Sequence, residues 1–147
     1  GAMDLKDATG LSIIGPHRGD EPLLSRLTDQ ARMFGLGSEY RNAVPDRWLD
    51  DGDILQIADH RFDVIHAPGH SPGHVVFFDR DAQFLHAGDV LFAGSIGRTD
   101  LPGGDHATLL RTIREKVLPL GDDVGFLCGH GPGSRLGVER RSNPFLI

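Results

Sequence analysis

The sequence predicts an α/β chain of the α+β kind, with a mostly antiparallel sheet and flanking helices. Three observations carry this expectation. The apolar segments follow the order strand, helix, four strands, helix, strand, and the connections between the central strands are too short for crossover helices. Strict alternation from Arg61 to Ala67 places Phe62, Val64 and His66 on one side of a strand, and Asp63, Ile65 and Ala67 on the other. Two longer segments carry apolar residues at helical spacing instead.

Taken in order, Ser12–Gly15 is a short apolar run read as a strand, and Pro16–Gly19 is a loop. Asp20 is expected to cap a helix with Glu21 and Pro22 in its first turn. Leu23, Leu27, Ala31 and Phe34 form the inward stripe of that helix, and Gly35 and Gly37 end it. Residues 38–48 are polar and irregular, the segment best suited to a mobile loop. Ile54–Ile57, Arg61–Ala67, Val75–Phe78 and Gln83–Ala87 read as strands, with turns at 50–53, 59–60 and 79–82. A helix is expected from His106 to Leu118, with Leu109, Leu110, Ile113 and Val117 inward and Pro119 as its stop. Val124–Cys128 is a buried strand, and Gly137–Ile147 a basic turn and tail.

Composition sets limits on function. The chain has 147 residues, 39% hydrophobic and 24% charged, the profile of one globular domain. A net charge of −6 argues against nucleic acid and anionic membrane surfaces as partners. No apolar run is long enough for a membrane span, and no signal peptide is visible. A single cysteine, Cys128, excludes an internal disulfide and fits a cytoplasmic location. Gly1–Met3 is read as a tag remnant and start, which leaves residues 4–147 as the domain.

Three ligand-type residues stand just after apolar runs. They are His70 in Pro68-Gly69-His70-Ser71-Pro72-Gly73-His74, Asp89 in Gly88-Asp89, and His130 in Gly129-His130-Gly131-Pro132. Imidazole and carboxylate together suit zinc, iron or manganese. Each has a bland alternative, since histidines and aspartates are common in Gly/Pro-rich turns. Pairing across the turn at 79–82 would put Asp89 opposite Pro72–Gly73, at the same end as His70. His130 joins them if the strand ending at Cys128 runs parallel to Gln83–Ala87. His74 is the candidate for orienting a ligand. His66 and His86 read as packed strand histidines, His17, His60 and His106 as loop or helix-start residues, and Cys128 as an inert core thiol.

These motifs, with Gly88-Asp89-Val90-Leu91-Phe92, resemble the later metal motifs of the metallo-β-lactamase superfamily. The stretch Gly94-Ser95-Ile96-Gly97-Arg98-Thr99-Asp100-Leu101-Pro102-Gly103-Gly104 is similar to the short hydroxyacylglutathione hydrolases, the glyoxalase II-like branch, and Glu139–Phe145 fits it too. The resemblance implies part of an αβ/βα sandwich with two metals at one edge. It implies His70 on the first metal, Asp89 bridging both, His130 on the second, and zinc as the leading ion, with iron or manganese as alternatives. It also implies a glutathione thioester as substrate, S-lactoylglutathione giving D-lactate and glutathione. The branch's His-x-His-x-Asp-His motif does not occur in these residues. The chain is therefore expected to be the C-terminal portion of such a domain, with weak or no activity by itself, no catalytic residue beyond the metal donors, and an uncovered apolar face. A homodimer or a complementing N-terminal chain is the expected partner.

Arg98 is a candidate for meeting a glutathione carboxylate, against an ion pair with Asp100 or Asp105. Arg140 and Arg141 read as tail anchors or solvated charge, and Tyr40 as a possible pocket residue. Two rival functions stand beside the hydrolase. One is a persulfide dioxygenase-like enzyme with a single iron. The other is a non-catalytic, self-associating fragment.

Overall fold

The computed structural model describes residues 1–37 and 39–147. Ser38, the first residue of the expected 38–48 loop, lies outside the described residues; residues 41–45 are irregular as expected. One six-stranded sheet organises the molecule. Its strands are β1 (Ile54–Ile57), β2 (His60–His66), β3 (Val75–Asp79), β4 (Phe84–Gly88), β7 (Gly125–Cys128) and β8 (Ser134–Arg135), adjacent in that order. All neighbours are antiparallel except β4 and β7, which run parallel. A separate two-stranded hairpin, β5 (Leu91–Phe92) and β6 (Ser95–Ile96), follows directly on β4.

One face of the sheet is the core. Val76, Phe78, Leu85, Ala87 and Phe126 project from it and pack with Leu109, Ile113 and Val117. The latter belong to a helical run that starts as α4 (His106–Thr112), passes through a π turn over Ile113–Val117 and ends as a 3-10 turn over Leu118–Leu120. Asp105 caps it by accepting the Thr108 N–H at 2.6 Å. Pro119 does not stop the run at Leu118, because a proline in the first turn of a new helical segment loses no hydrogen bond there.

Several expectations are corrected. The run Ser12–Gly15 forms no strand; only Ile14 bridges Arg47. The expected single helix from Asp20 to Phe34 is broken at Ser25–Arg26 into α2 (Glu21–Leu24) and α3 (Leu27–Met33), and Phe34 is exposed. Arg26 leaves helical backbone values there, so the stripe does not continue in one line. Ala2–Thr9 forms a helix, α1, that buries no residue. The expected basic tail is a helix, α5 (Leu136–Ser142). Its anchor is Glu139, fully buried, which accepts from Ser134 Oγ at 2.6 Å, Gly94 N–H at 2.8 Å and Asn143 Nδ2 at 2.9 Å. A buried carboxylate with three donors is stable where an unpartnered one is not.

Candidate metal centre

The hairpin register decides where Asp89 lies. Phe77 pairs with His86, two residues from the expected pairing. Asp89 therefore comes opposite His74 and not Pro72–Gly73. The Asp89 N–H donates to His74 Nε2 at 3.0 Å. His74 thus orients Asp89 through its backbone. Its ring is buried, which lowers its pKa from the ordinary imidazole value, and the neighbouring His70 acts the same way. The parallel pairing of β4 with β7 brings His130 to the same edge, and Gly129 N–H donates to Gly88 O at 2.7 Å.

The three candidate ligands meet around one atom. His70 Nε2 and His130 Nε2 each lie 3.6 Å from Asp89 Oδ2. Two donors on one tetrahedral ion, with bonds of about 2.0–2.2 Å, stand about 3.4 Å apart. Each histidine–carboxylate pair therefore has the separation of two ligands on one ion. Among the described residues no group of three His, Cys, Asp or Glu could hold a metal together. The arrangement is two pairs sharing a carboxylate, not a three-donor cage. Asp89 Oδ1 is buried without a hydrogen-bond partner among the described residues, a costly state for a carboxylate that a cation would relieve. The donors thus fit a metal.

Backbone geometry makes the approach possible. A Cβ on Gly129 would fall 2.2 Å from Asp89 Oδ1. Gly88 has φ of 49°, and a Cβ there would strike the His74 ring at 2.5 Å.

The loop carrying His70 is held from all sides. His70 Nδ1 is 2.8 Å from the Arg98 carbonyl, so it donates there and leaves Nε2 as the free lone pair. Thr112 Oγ1 donates to Pro68 O at 2.8 Å, and Asp105 N–H to Gly69 O at 2.8 Å. His66 Nε2 donates to Pro72 O at 2.8 Å and its ring stacks on His17 at 4.0 Å. Asp20 takes Ser71 Oγ at 2.8 Å and Gly73 N–H at 2.6 Å. It makes no side-chain cap bond to α2, contrary to expectation, because its carboxylate is spent on this loop. Its role was not legible, since Asp20 precedes Ser71 by about fifty residues and its local context reads as a cap.

Arg98 contributes its carbonyl to the site. Its guanidinium forms a two-point pair with Asp100 at 2.8 and 2.7 Å, which holds the Asp100 carboxyl down at about 2. Cys128 is a half-buried thiol packed against the edge of the core. Its S–H donates to His130 O at 2.9 Å, with Pro132 O as the more distant alternative acceptor at 3.4 Å. His86 is exposed, with Phe62 and Phe84 edge-on to it. Tyr40 does not line the cleft beside His70. A cleft of about 670 Å³ opens beside His70, between α2–α3 and the segment Leu101–Gly103.

The chain is similar to several known proteins. Hydroxyacylglutathione hydrolase GloC of Haemophilus influenzae is 45% identical over 146 residues, 99% of this chain and 68% of that protein. Probable metallo-hydrolase YqgX of Bacillus subtilis is 46% identical over 105 residues, 71% of this chain and 50% of that protein. The chain thus spans between half and about two thirds of the length of such relatives. The crystal structure of TTHA1623 in a di-iron-bound form superposes with a TM-score of 0.86 at 40% identity, covering 98% of this chain and 69% of that one. That of BLEG-1 B3 metallo-beta-lactamase gives 0.84 at 38%, covering 97% and 68%. Among the described residues no helix is long and apolar enough to cross a membrane. The family profile described as metallo-beta-lactamase superfamily matches residues 1–130, and with the fold and the paired histidines around Asp89 this chain belongs to that superfamily.

Proposed function

We propose that these residues form one side of a two-metal thioester hydrolase centre. The reaction is hydrolysis of a glutathione thioester, S-lactoylglutathione to D-lactate and glutathione, in the cytoplasm. The observation that carries this reading is the pair of imidazoles 3.6 Å from one carboxylate oxygen. The 45% identical protein named hydroxyacylglutathione hydrolase supports the substrate.

In this reading His70 serves one ion, His130 the other and Asp89 both. Zinc is the leading candidate, iron gains support from the di-iron-bound neighbour, and manganese suits the same donors. Bound metal would supply a water of near-neutral pKa and polarise the thioester carbonyl. The chain's own residues do the holding. The Arg98 carbonyl fixes the His70 tautomer, His74 fixes the Asp89 backbone, and Asp20 fixes the loop between them. Overall, water adds across the C–S bond: the carbonyl carbon takes the oxygen, and the sulfur leaves as thiolate and regains a proton. Three protein donors come from these residues. The remainder come from a complementing segment or a second chain, and without them hydrolysis is weak or absent.

Metal content of the purified chain by mass spectrometry tests the centre, with Asp89→Ala beside it. One or more ions per chain, lost in the variant, is the expected result, followed by assay with S-lactoylglutathione. Metal no higher than in the variant overturns the centre and, with strong self-association, leaves a non-catalytic fragment. Oxygen uptake with glutathione persulfide, without thioester hydrolysis, would replace the hydrolase by a one-iron dioxygenase.

A further inference from the structure

The cleft beside His70 holds a weakly held cation. Its apolar walls are Pro22, Leu23, Met33 and Phe34 on one side and Leu101 and Pro102 on the other. Arg26, at the break between α2 and α3, lines it too. The backbone of Arg26 is fixed there: its N–H donates to Leu23 O at 3.2 Å and its carbonyl accepts Gln30 N–H at 3.0 Å. The wall that carries it is anchored as well. Gln30 Nε2 donates to Leu23 O at 2.9 Å, Thr28 N–H to Asn42 Oδ1 at 3.0 Å, and Ala43 N–H to Leu24 O at 3.1 Å. The Arg26 side chain is different. It is 74% exposed, lies 4.0 Å from Asp29 and makes no hydrogen bond among the described residues. Asp29 is shared with Arg32 at 3.6 Å, so one carboxylate stands between two guanidiniums and a positive charge is left over. Arg41, Arg47 and Arg98, by contrast, each donate to carboxylates at 2.7–2.9 Å.

We infer that the cleft is a carboxylate subsite: Arg26 pairs a carboxylate of the ligand, and Met33 and Phe34 flank the apolar stretch that joins it to the group at His70. This rests on the thioester hydrolase reading for the identity of the ligand. A guanidinium presents a planar fork that matches a carboxylate through two parallel hydrogen bonds, and the Arg26 fork has both to give. Apolar neighbours lower the local dielectric and strengthen such a pair over one on open surface. Exposed Met33 and Phe34 beside that cation suit an amphipathic anion. The space of about 670 Å³ leaves room for one. The carboxylate belongs either to the tripeptide or to the acyl group, and the chemistry at Arg26 is the same for both.

The test is binding to the purified chain, followed by NMR titration with a metal chelator present so that no turnover enters. Two pairs of probes differ in carboxylate charge: S-hexylglutathione and its diethyl ester, and hexanoate and hexanamide. The carboxylate member of at least one pair should bind about three- to tenfold tighter than the neutral one, with shifts at the Leu23, Met33 and Phe34 amides. Preference in the first pair alone assigns the carboxylate to the tripeptide; preference in the second assigns it to the acyl chain. Arg26→Gln should abolish the preference and leave the neutral probes unchanged. Only the Arg26 backbone is tied into the wall, so the fold is retained. Arg114→Gln, which removes the same charge from an exposed position outside the cleft, should leave the preference intact. Equal binding within both pairs, or a preference that survives Arg26→Gln, overturns the inference. Its failure is distinct from that of the hydrolase reading, which is decided by metal bound at Asp89. Metal lost in Asp89→Ala, with no carboxylate preference in the wild type, keeps the centre and removes the subsite. A carboxylate preference in a chain that takes up no metal keeps the subsite and removes the enzyme.

Discussion

His70 and His130 stand at the same distance from Asp89 but are held very differently. The His70 side chain is 21% exposed and tied to the Arg98 carbonyl, whereas that of His130 is 80% exposed, with Phe92 edge-on as its aromatic neighbour. An ordered donor loses less entropy on binding than a free one. His70→Ala should therefore weaken metal binding more than His130→Ala, by about tenfold or more between the two. Competition against a chromophoric chelator measures this; equal losses would mean that His130 is as well ordered as His70.

Hairpin turns and loops set the geometry around those donors. The β3–β4 turn depends on Asp79, whose buried carboxylate accepts Asp81 N–H at 3.0 Å and Ala82 N–H at 2.9 Å and meets His60 Nδ1 at 2.7 Å. The Ala82 N–H, then His60, hold its pKa below the usual carboxylate value. A depressed folded value means that the unfolded chain binds the proton more readily. This contribution to stability is complete above the unfolded value of about 3.9 and is lost as pH falls through the folded one. Thermal melts from about pH 5 down to pH 3 should show a steeper decline in the wild type than in Asp79→Asn, which has no proton to gain there. Parallel slopes would assign the acid sensitivity to other carboxylates. The same turn fixes the register that brings Asp89 to His74, so the loop chemistry and the strand pairing are one arrangement.

The sheet as a body is fully covered on one face and only partly on the other, where Val64 and Asp79 are buried. Opposite the core, Phe62, Phe77 and Phe84 are half-buried and Leu127 is 50% exposed, all on the same face of β2, β3, β4 and β7. Apolar surface of this kind gains from a covering partner, and we propose a second copy or a complementing chain for it. Sedimentation should show self-association of the wild type at about 100 μM and a shift towards monomer in Leu127→Glu. A wild type monomeric at that concentration would remove the second copy as the cover.

Local chemistry made some features readable in advance. Alternation and apolar runs identified the central strands to within a residue or two, Asp105 announced the start of α4, and ligand-type residues in Gly/Pro loops after strands singled out His70, Asp89 and His130, which the fold brings to one edge of the sheet. Features that depend on distant partners were not readable. Asp20 looks like a helix cap until the His70 loop is folded against it, and Glu139 looks like surface charge until Gly94, Ser134 and Asn143 surround it. The two-residue change in hairpin register has the same origin, since a shift by two keeps every side chain on its face and leaves the hydrophobic pattern unchanged. Pattern and composition therefore determined the central strands, the start of α4 and the donor types. Which atoms those donors meet was decided in three dimensions, because hydrogen bonds between residues far apart in the chain carry no periodic signal.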